Sequence, residues 1–125
     1  MRTVRQRLDE LPVAMDQAGM RVLTPGNWGG MVVELVESTQ RVDFSPMLQG
    51  LPDDLCPCPH WGYMVRGTCH MEYAAGSEEV IGEGEVYYMP AAHTGWMEPD
   101  SAMLVFSPEK EAKILQEHFA KLMGG

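Results

Sequence analysis

Five consecutive residues, Cys56-Pro57-Cys58-Pro59-His60, place two thiols and an imidazole at alternate positions. Thiolate and imidazole together select Zn²⁺, bound tetrahedrally at roughly 2.3 Å to sulfur and roughly 2.0 Å to nitrogen. In an extended chain alternate side chains share a face, so residues 56, 58 and 60 are expected to converge on one ion. The prolines stiffen the segment and lower the entropy lost when the ligands are ordered. They also cannot donate to a sheet ladder, which puts the segment at an edge or in a loop. The plainer reading is two buried thiols beside a hydrogen-bonded histidine, because free cysteine often packs as a small hydrophobe. A third reading is a thiol redox sensor, which needs exposure and a lowered thiol pKa.

The remaining donors read as structural. His70 shares strand parity with Thr68 and Glu72 and is expected to face solvent. Cys69 shares its face with Met71 and Tyr73 and reads as core. His118 lies in a helical tail and reads as surface.

These residues sit in a chain of 125 residues with 9 Lys+Arg against 18 Asp+Glu and a formal charge of -9. The length suits one domain, 1–125. At 45% hydrophobic residues it can build a core without a disulfide framework. Between Arg66 and Lys110 there are eight carboxylates and no Lys or Arg. That balance argues against nucleic acid and against an anionic membrane as partners. The longest strong apolar run, Ala102 to Phe106, is too short to span a bilayer. Asp9, Glu10, Pro12 and Asp16 interrupt any signal-peptide core after Arg2, Arg5 and Arg7. Three cysteines is an odd count, and Cys56 and Cys58 are too close for an ordinary bridge. Free thiols fit a reducing compartment, so the expected location is cytoplasmic.

The elements that must position the candidate donors are mostly strands. Residues 1–27 read as an N-terminal arm covering an edge: Val4, Leu8 and Leu11 have helical spacing that Pro12 would stop. From Trp28 the period is that of strands, at Met31–Glu37, Val42–Phe44, Pro59–Arg66, Thr68–Tyr73, Glu78–Ile81, Val86–Met89, Gly95–Met97 and Ala102–Phe106. Short strands at this spacing suggest an antiparallel sandwich or barrel over 28–106. A helix over 107–123 follows, with Ser107 as N-cap and Pro108 at its first position. Its apolar face, Ala112, Leu115, Phe119 and Leu122, is expected to pack outside the barrel or on a partner subunit.

His60-Trp-Gly-Tyr-Met-Val-Arg-Gly67 followed by Gly84-Glu-Val-Tyr-Tyr-Met-Pro90 resembles the two motifs of the cupin family, G-x5-H-x-H-x3,4-E-x6-G and G-x5-P-x-G-x2-H. The resemblance covers about residues 45 to 106. It implies an all-β double-stranded β-helix (a jelly-roll barrel), followed here by the C-terminal α-helix. It also implies a divalent metal in the barrel mouth and, for many members, a dimer. The family's usual ligands are absent. Gly67 matches the motif-1 glycine. Counting back from it, His60 stands at the family's Glu position, Cys56 at its second His and Asp54 at its first. Gly95 stands at the motif-2 His, with His93 two residues earlier. The expected metal set is therefore Cys56, Cys58, His60 and His93, with Zn²⁺ the favoured ion. Met64, Tyr88, Trp96 and Met97 are the candidate ligand-pocket residues.

Trp61, Tyr63 and Val65 lie on the strand face opposite His60, and covering that stripe makes a homodimer the economical expectation. The functional expectation is a small cupin that uses the Cys/His site to bind a small organic molecule and to convert it by non-redox chemistry. There the metal would polarise a carbonyl or activate a water, and His93 or a carboxylate would move the proton. The rival is a non-catalytic ligand-binding or sensor cupin with a structural metal or none.

Overall fold

The computed structural model describes residues 5–122 and residue 124. Among the described residues ten strands form two antiparallel sheets. In chain order they are β1 (Val13–Gln17), β2 (Met20–Trp28), β3 (Met31–Ser38), β4 (Val42–Asp43), β5 (His60–Arg66), β6 (Thr68–Tyr73), β7 (Glu78–Gly82), β8 (Val86–Met89), β9 (His93–Met97) and β10 (Ser101–Pro108). A single helical turn, α1 (Ser45–Leu48), follows β4, and a longer helix, α2 (Glu109–Leu122), ends the chain. The larger sheet runs β1-β2-β3-β10-β5-β8 and the smaller β4-β9-β6-β7.

The β-branched run at β3 pairs with β10 over eight residues, from Ser38↔Ser101 to Met31↔Pro108. Alternation then sorts the side chains: Cys69 and Met71 of β6 are buried while Thr68, His70 and Glu72 are not. Between the sheets lies a core of Met64, Cys69, Met71, Ile81, Met89 and Met97, closed by Met103 and Val105. Gly67 joins β5 to β6 and so carries the chain from one sheet to the other. Its φ of +78° and the Ser101 backbone against it leave no room for a side chain.

Three expectations change. Residues 13–28 are not an arm but the β1–β2 hairpin, paired with β3 through β2. The helical spacing there yields one short 3-10 turn at Leu8–Glu10, and Val4 lies outside the described residues. Ser107 and Pro108 end β10 rather than capping the helix, since pairing with Val32 and Met31 continues the ladder to that point. Finally, α2 does not simply pack outside: Leu115, Phe119 and Leu122 close one end of the space between the sheets. His118, read as surface, is half-buried against Gly50, with Nε2 buried and without a hydrogen-bond partner among the described residues.

Candidate metal centre

The centre begins with one backbone bridge. Cys56 N–H donates to the His93 carbonyl at 2.8 Å, and Ala92 N–H donates to the Cys56 carbonyl at 2.7 Å. This isolated antiparallel bridge sets the first residue of β9 beside the cysteine. His60, the first residue of β5, enters the same space opposite Met89. Cys56 Sγ and one nitrogen from each of His60 and His93 all lie within 4.8 Å of one another.

Both imidazoles are held from behind. The Pro90 carbonyl lies 2.7 Å from His93 Nδ1 and can only accept, so Nδ1 carries the proton and Nε2 keeps its lone pair. His60 Nδ1 lies 2.7 Å from the Ser107 hydroxyl, which likewise turns Nε2 toward Cys56. Such outward bonds are what orient metal-ligating histidines. Cys56 Sγ and His60 Nε2 are 3.6 Å apart. Two ligands on a tetrahedral zinc at ordinary bond lengths would be roughly 3.5 Å apart, so this edge already has the required length. The imidazoles meet edge-on, centroids 5.1 Å apart.

Burial controls the charge. It pushes the Cys56 thiol up to about 11. Burial, and then the proximity of His93, bring His60 down to about 3. His93 is also lowered by burial, partly opposed by its bond to Pro90. The two rings are thus neutral donors at ordinary pH, as metal ligation requires. The thiol would have to lose its proton to the solvent on binding an ion.

Cys58 does not join this group. Its side chain is fully buried with Val32, Leu48, Leu51 and Ala112, and its Sγ donates to the Pro59 carbonyl at 3.4 Å. Strict alternation fails because the chain from 56 to 59 is not a strand: only Cys56 makes a bridge, and β5 starts at His60. Asp54 is exposed and accepts from Gly50 N–H at 2.9 Å, away from the centre. Gly95, at the position where the resembled motif has histidine, lies against the His70 carbonyl and leaves no space for a Cβ. His93, two residues earlier on β9, supplies the imidazole instead.

The triad opens on a cavity of about 330 Å³ between the sheets. Six of the eleven methionines line it: Met15, Met20, Met47, Met71, Met89 and Met103. The four residues expected there do not. Met64 and Met97 are fully buried in the core beside it. Tyr88 is turned outward at 53% exposure and stacks on Trp61, centroids 5.1 Å apart. Trp96 stacks on His70 on the outer face of the smaller sheet. Strand parity and the β1–β3 wall decide what lines the cavity, rather than methionine content or closeness to the second motif. Two residues of the site were missed. Glu34 lines the cavity. Its signal was legible, since it shares parity with Val32 and Val36 on an otherwise apolar face over Val32–Val36. Ser107 had no such signal, because Ser-Pro before an acidic helix reads as a cap.

No protein-family model matches the sequence, and neither does any curated protein. Solved structures do match. An RmlC-like cupin from Shewanella frigidimarina is similar at TM-score 0.58 and 15% identity, over 86% of this chain and 95% of that one. The polyketide cyclase RemF from Streptomyces resistomycificus matches at 0.59 and 14%, over 86% and 80%. KdgF from a Halomonas species matches at 0.54 and 17%, over 82% and 92%. The chain has the cupin fold: a small jelly roll of two antiparallel sheets with a C-terminal helix. Within that fold its candidate metal group is Cys56, His60 and His93.

Proposed function

We propose that this chain is a metal-binding cupin that holds one divalent ion, zinc, on Cys56, His60 and His93 and uses it on a small organic molecule bound in the methionine-lined cavity. The observation that carries the reading is the convergence of three donors of the right chemistry on an apolar cavity, with both histidines fixed through Nδ1. Three protein ligands leave one tetrahedral position for water or substrate, the pattern of a reactive site rather than a structural one. Bound there, zinc supplies Lewis acidity without redox chemistry. The chain's own residues do the rest. Ser107 and the Pro90 carbonyl orient the rings, the methionines exclude water, and α2 closes one end of the cavity. His93, placed as a ligand, is not free to move a proton.

A thiol redox role is disfavoured. Both thiols are buried, and burial raises Cys56 to about 11 and Cys58 to about 12, the reverse of an activated thiolate. The non-catalytic reading, a ligand sensor in the same barrel, keeps one supporting observation: the cavity wall is overwhelmingly apolar.

The test is elemental analysis of the tag-free protein purified without added metal. About one zinc per chain, lost in Cys56→Ala, His60→Ala and His93→Ala, is the expected result. No metal, with melting temperature unchanged by chelator, would overturn it in favour of the sensor reading.

The surface supports a homodimer. Trp61 and Tyr63, at 42% and 41% exposure, lie with Tyr88 and Val86 on and beside the edge strand β8. Light scattering that returns a mass near 13.9 kDa would exclude the dimer. Among the described residues no helix is long and apolar enough to cross a membrane. The three free cysteines support a reducing, cytoplasmic setting. The acidic charge supports a small molecule rather than nucleic acid or membrane as the partner.

A further inference from the structure

The cavity holds a second polar feature that the metal reading does not use. Glu34 stands in the middle of β3 and pairs with Val105 of β10. Val32, two residues earlier, pairs with Ser107, whose hydroxyl holds His60. Glu34 therefore lies one inward step, roughly 7 Å, along the same sheet from the level of the triad. Its neighbours on the cavity wall are Val36, Val22, Met103 and Val105. Burial raises its carboxyl above the ordinary glutamate range, and among the described residues no hydrogen bond or charge partner offsets that rise. A carboxyl group kept in such surroundings without a partner carries an energetic cost that a leucine would not.

We infer that Glu34 is the second polar anchor of the cavity, and that it binds the hydroxyl or carbonyl end of a neutral, largely apolar small molecule. This rests on the reading of the cavity as the ligand site, but not on the metal.

Charge selects the ligand class. Among the described residues lining the cavity there is no Lys or Arg to accompany an anion. The whole chain carries a formal charge of -9. An anionic group brought to the Glu34 end would lose its hydration without gaining a cation, which costs far more than one hydrogen bond returns. A hydroxyl or carbonyl suffers no such loss. It gains a partner in a carboxyl that can both donate and accept when protonated. The methionine walls suit a flat or irregular apolar body, because thioethers repack around varied shapes and contact aromatic edges well. A volume of about 330 Å³ has room for one small molecule such as a bicyclic ring system.

The test uses three probes of one shape, 2-naphthol, naphthalene and 2-naphthoate, titrated calorimetrically into protein dialysed against chelator. Failure of the metal reading then cannot be mistaken for failure of this one. In the native sequence 2-naphthol is expected to bind most tightly and 2-naphthoate most weakly. Glu34→Leu is expected to weaken 2-naphthol by about five- to tenfold, the worth of one hydrogen bond, and to leave naphthalene unchanged. Glu34→Gln keeps a donor and an acceptor and is expected to retain 2-naphthol binding. Undiminished 2-naphthol binding in Glu34→Leu would overturn the anchor. Naphthoate binding as tightly as naphthol would overturn the ligand class. No binding of any probe to a folded native protein would overturn the cavity as a ligand site.

Discussion

The inside of the barrel and the outer face of the smaller sheet treat histidine in opposite ways. On the inside, His93 of β9 is buried and His60 of β5 half-buried, and among the described residues neither has a carboxylate partner. Each is tied through Nδ1 to a neutral oxygen. On the outside, His70 of β6 has Nε2 2.6 Å from Glu98 Oε2 and its ring 3.9 Å from that of Trp96, nearly parallel. Arg41 lies 3.8 Å from the Trp96 centroid and is itself bonded to Asp43. The outer ring is saturated on its face and at Nε2 by partners within reach of water. The inner rings are desolvated, and His93 turns a lone pair and His60 its Nε2 toward an open cavity. Histidine alone therefore specifies nothing here. What matters is which nitrogen is already engaged, and whether the medium forbids a charge.

Changes on the two faces should separate by size, and the largest effect belongs to the inner donors. Cys56→Ala or His93→Ala is expected to reduce bound metal from about one ion per chain to near zero by elemental analysis, while Trp96→Ala leaves it unchanged. Equal loss in both would end the contrast.

Next comes the orienting bond. Ser107→Ala frees His60 Nδ1 and is expected to weaken metal binding by about 10- to 100-fold, the usual worth of an outer-sphere partner. Competition with a chromogenic chelator would measure it. Unchanged affinity would mean that packing alone orients the ring.

Cys58 sharpens the boundary of the site. Cys58→Ala is expected to keep its metal and to lose about 1 kcal/mol or more of stability from a fully buried position. Loss of metal in a folded variant would restore Cys58 as a ligand.

Glu34 gives a pH signature. Burial raises its carboxyl from 4.5, so the folded chain holds a proton that the unfolded chain has released. The state that binds more protons loses stability as pH rises from about 4.5 through the folded value. Thermal melts of Glu34→Gln against native protein should agree most closely near pH 4 and diverge in favour of the variant toward pH 8. A difference independent of pH would show the carboxyl to be unperturbed.

The smallest effect is on the outer face. Glu98→Gln is expected to cost no more than about 1 kcal/mol in denaturant unfolding, because the pair is partly solvated. A loss of several kcal/mol would show that the outer cluster is a structural keystone rather than a surface feature.

Much of the barrel was legible in sequence because strand alternation is a local property. Thr68–Tyr73 and Val86–Met89 fall at their expected bounds, and Cys69 is core as its parity required. The β1–β2 hairpin was not legible. Pro25, Gly26 and Asn27 are residue types that favour turns, yet they lie within β2, where the register to β3 shifts between Leu23 and Gly26. A bulged strand carries turn-like residues and gives a weak alternating signal.

By itself the sequence determined the strand periods, the amphipathic tail helix, the acidic charge and a set of soft donors at Cys56, Cys58, His60 and His93. It could not say which of them meet. Cys56 and His93 are 37 residues apart and are joined by one backbone bridge that no local pattern encodes. The non-strand path from 56 to 59 sends Cys58 into the apolar cluster under α2. The cavity wall was likewise assembled by tertiary structure, from β1, β2, β3 and α2 closing around the motif strands. Local chemistry decides what a side chain can donate, and its packing decides whether that donor finds an ion, a neighbour or nothing but hydrocarbon.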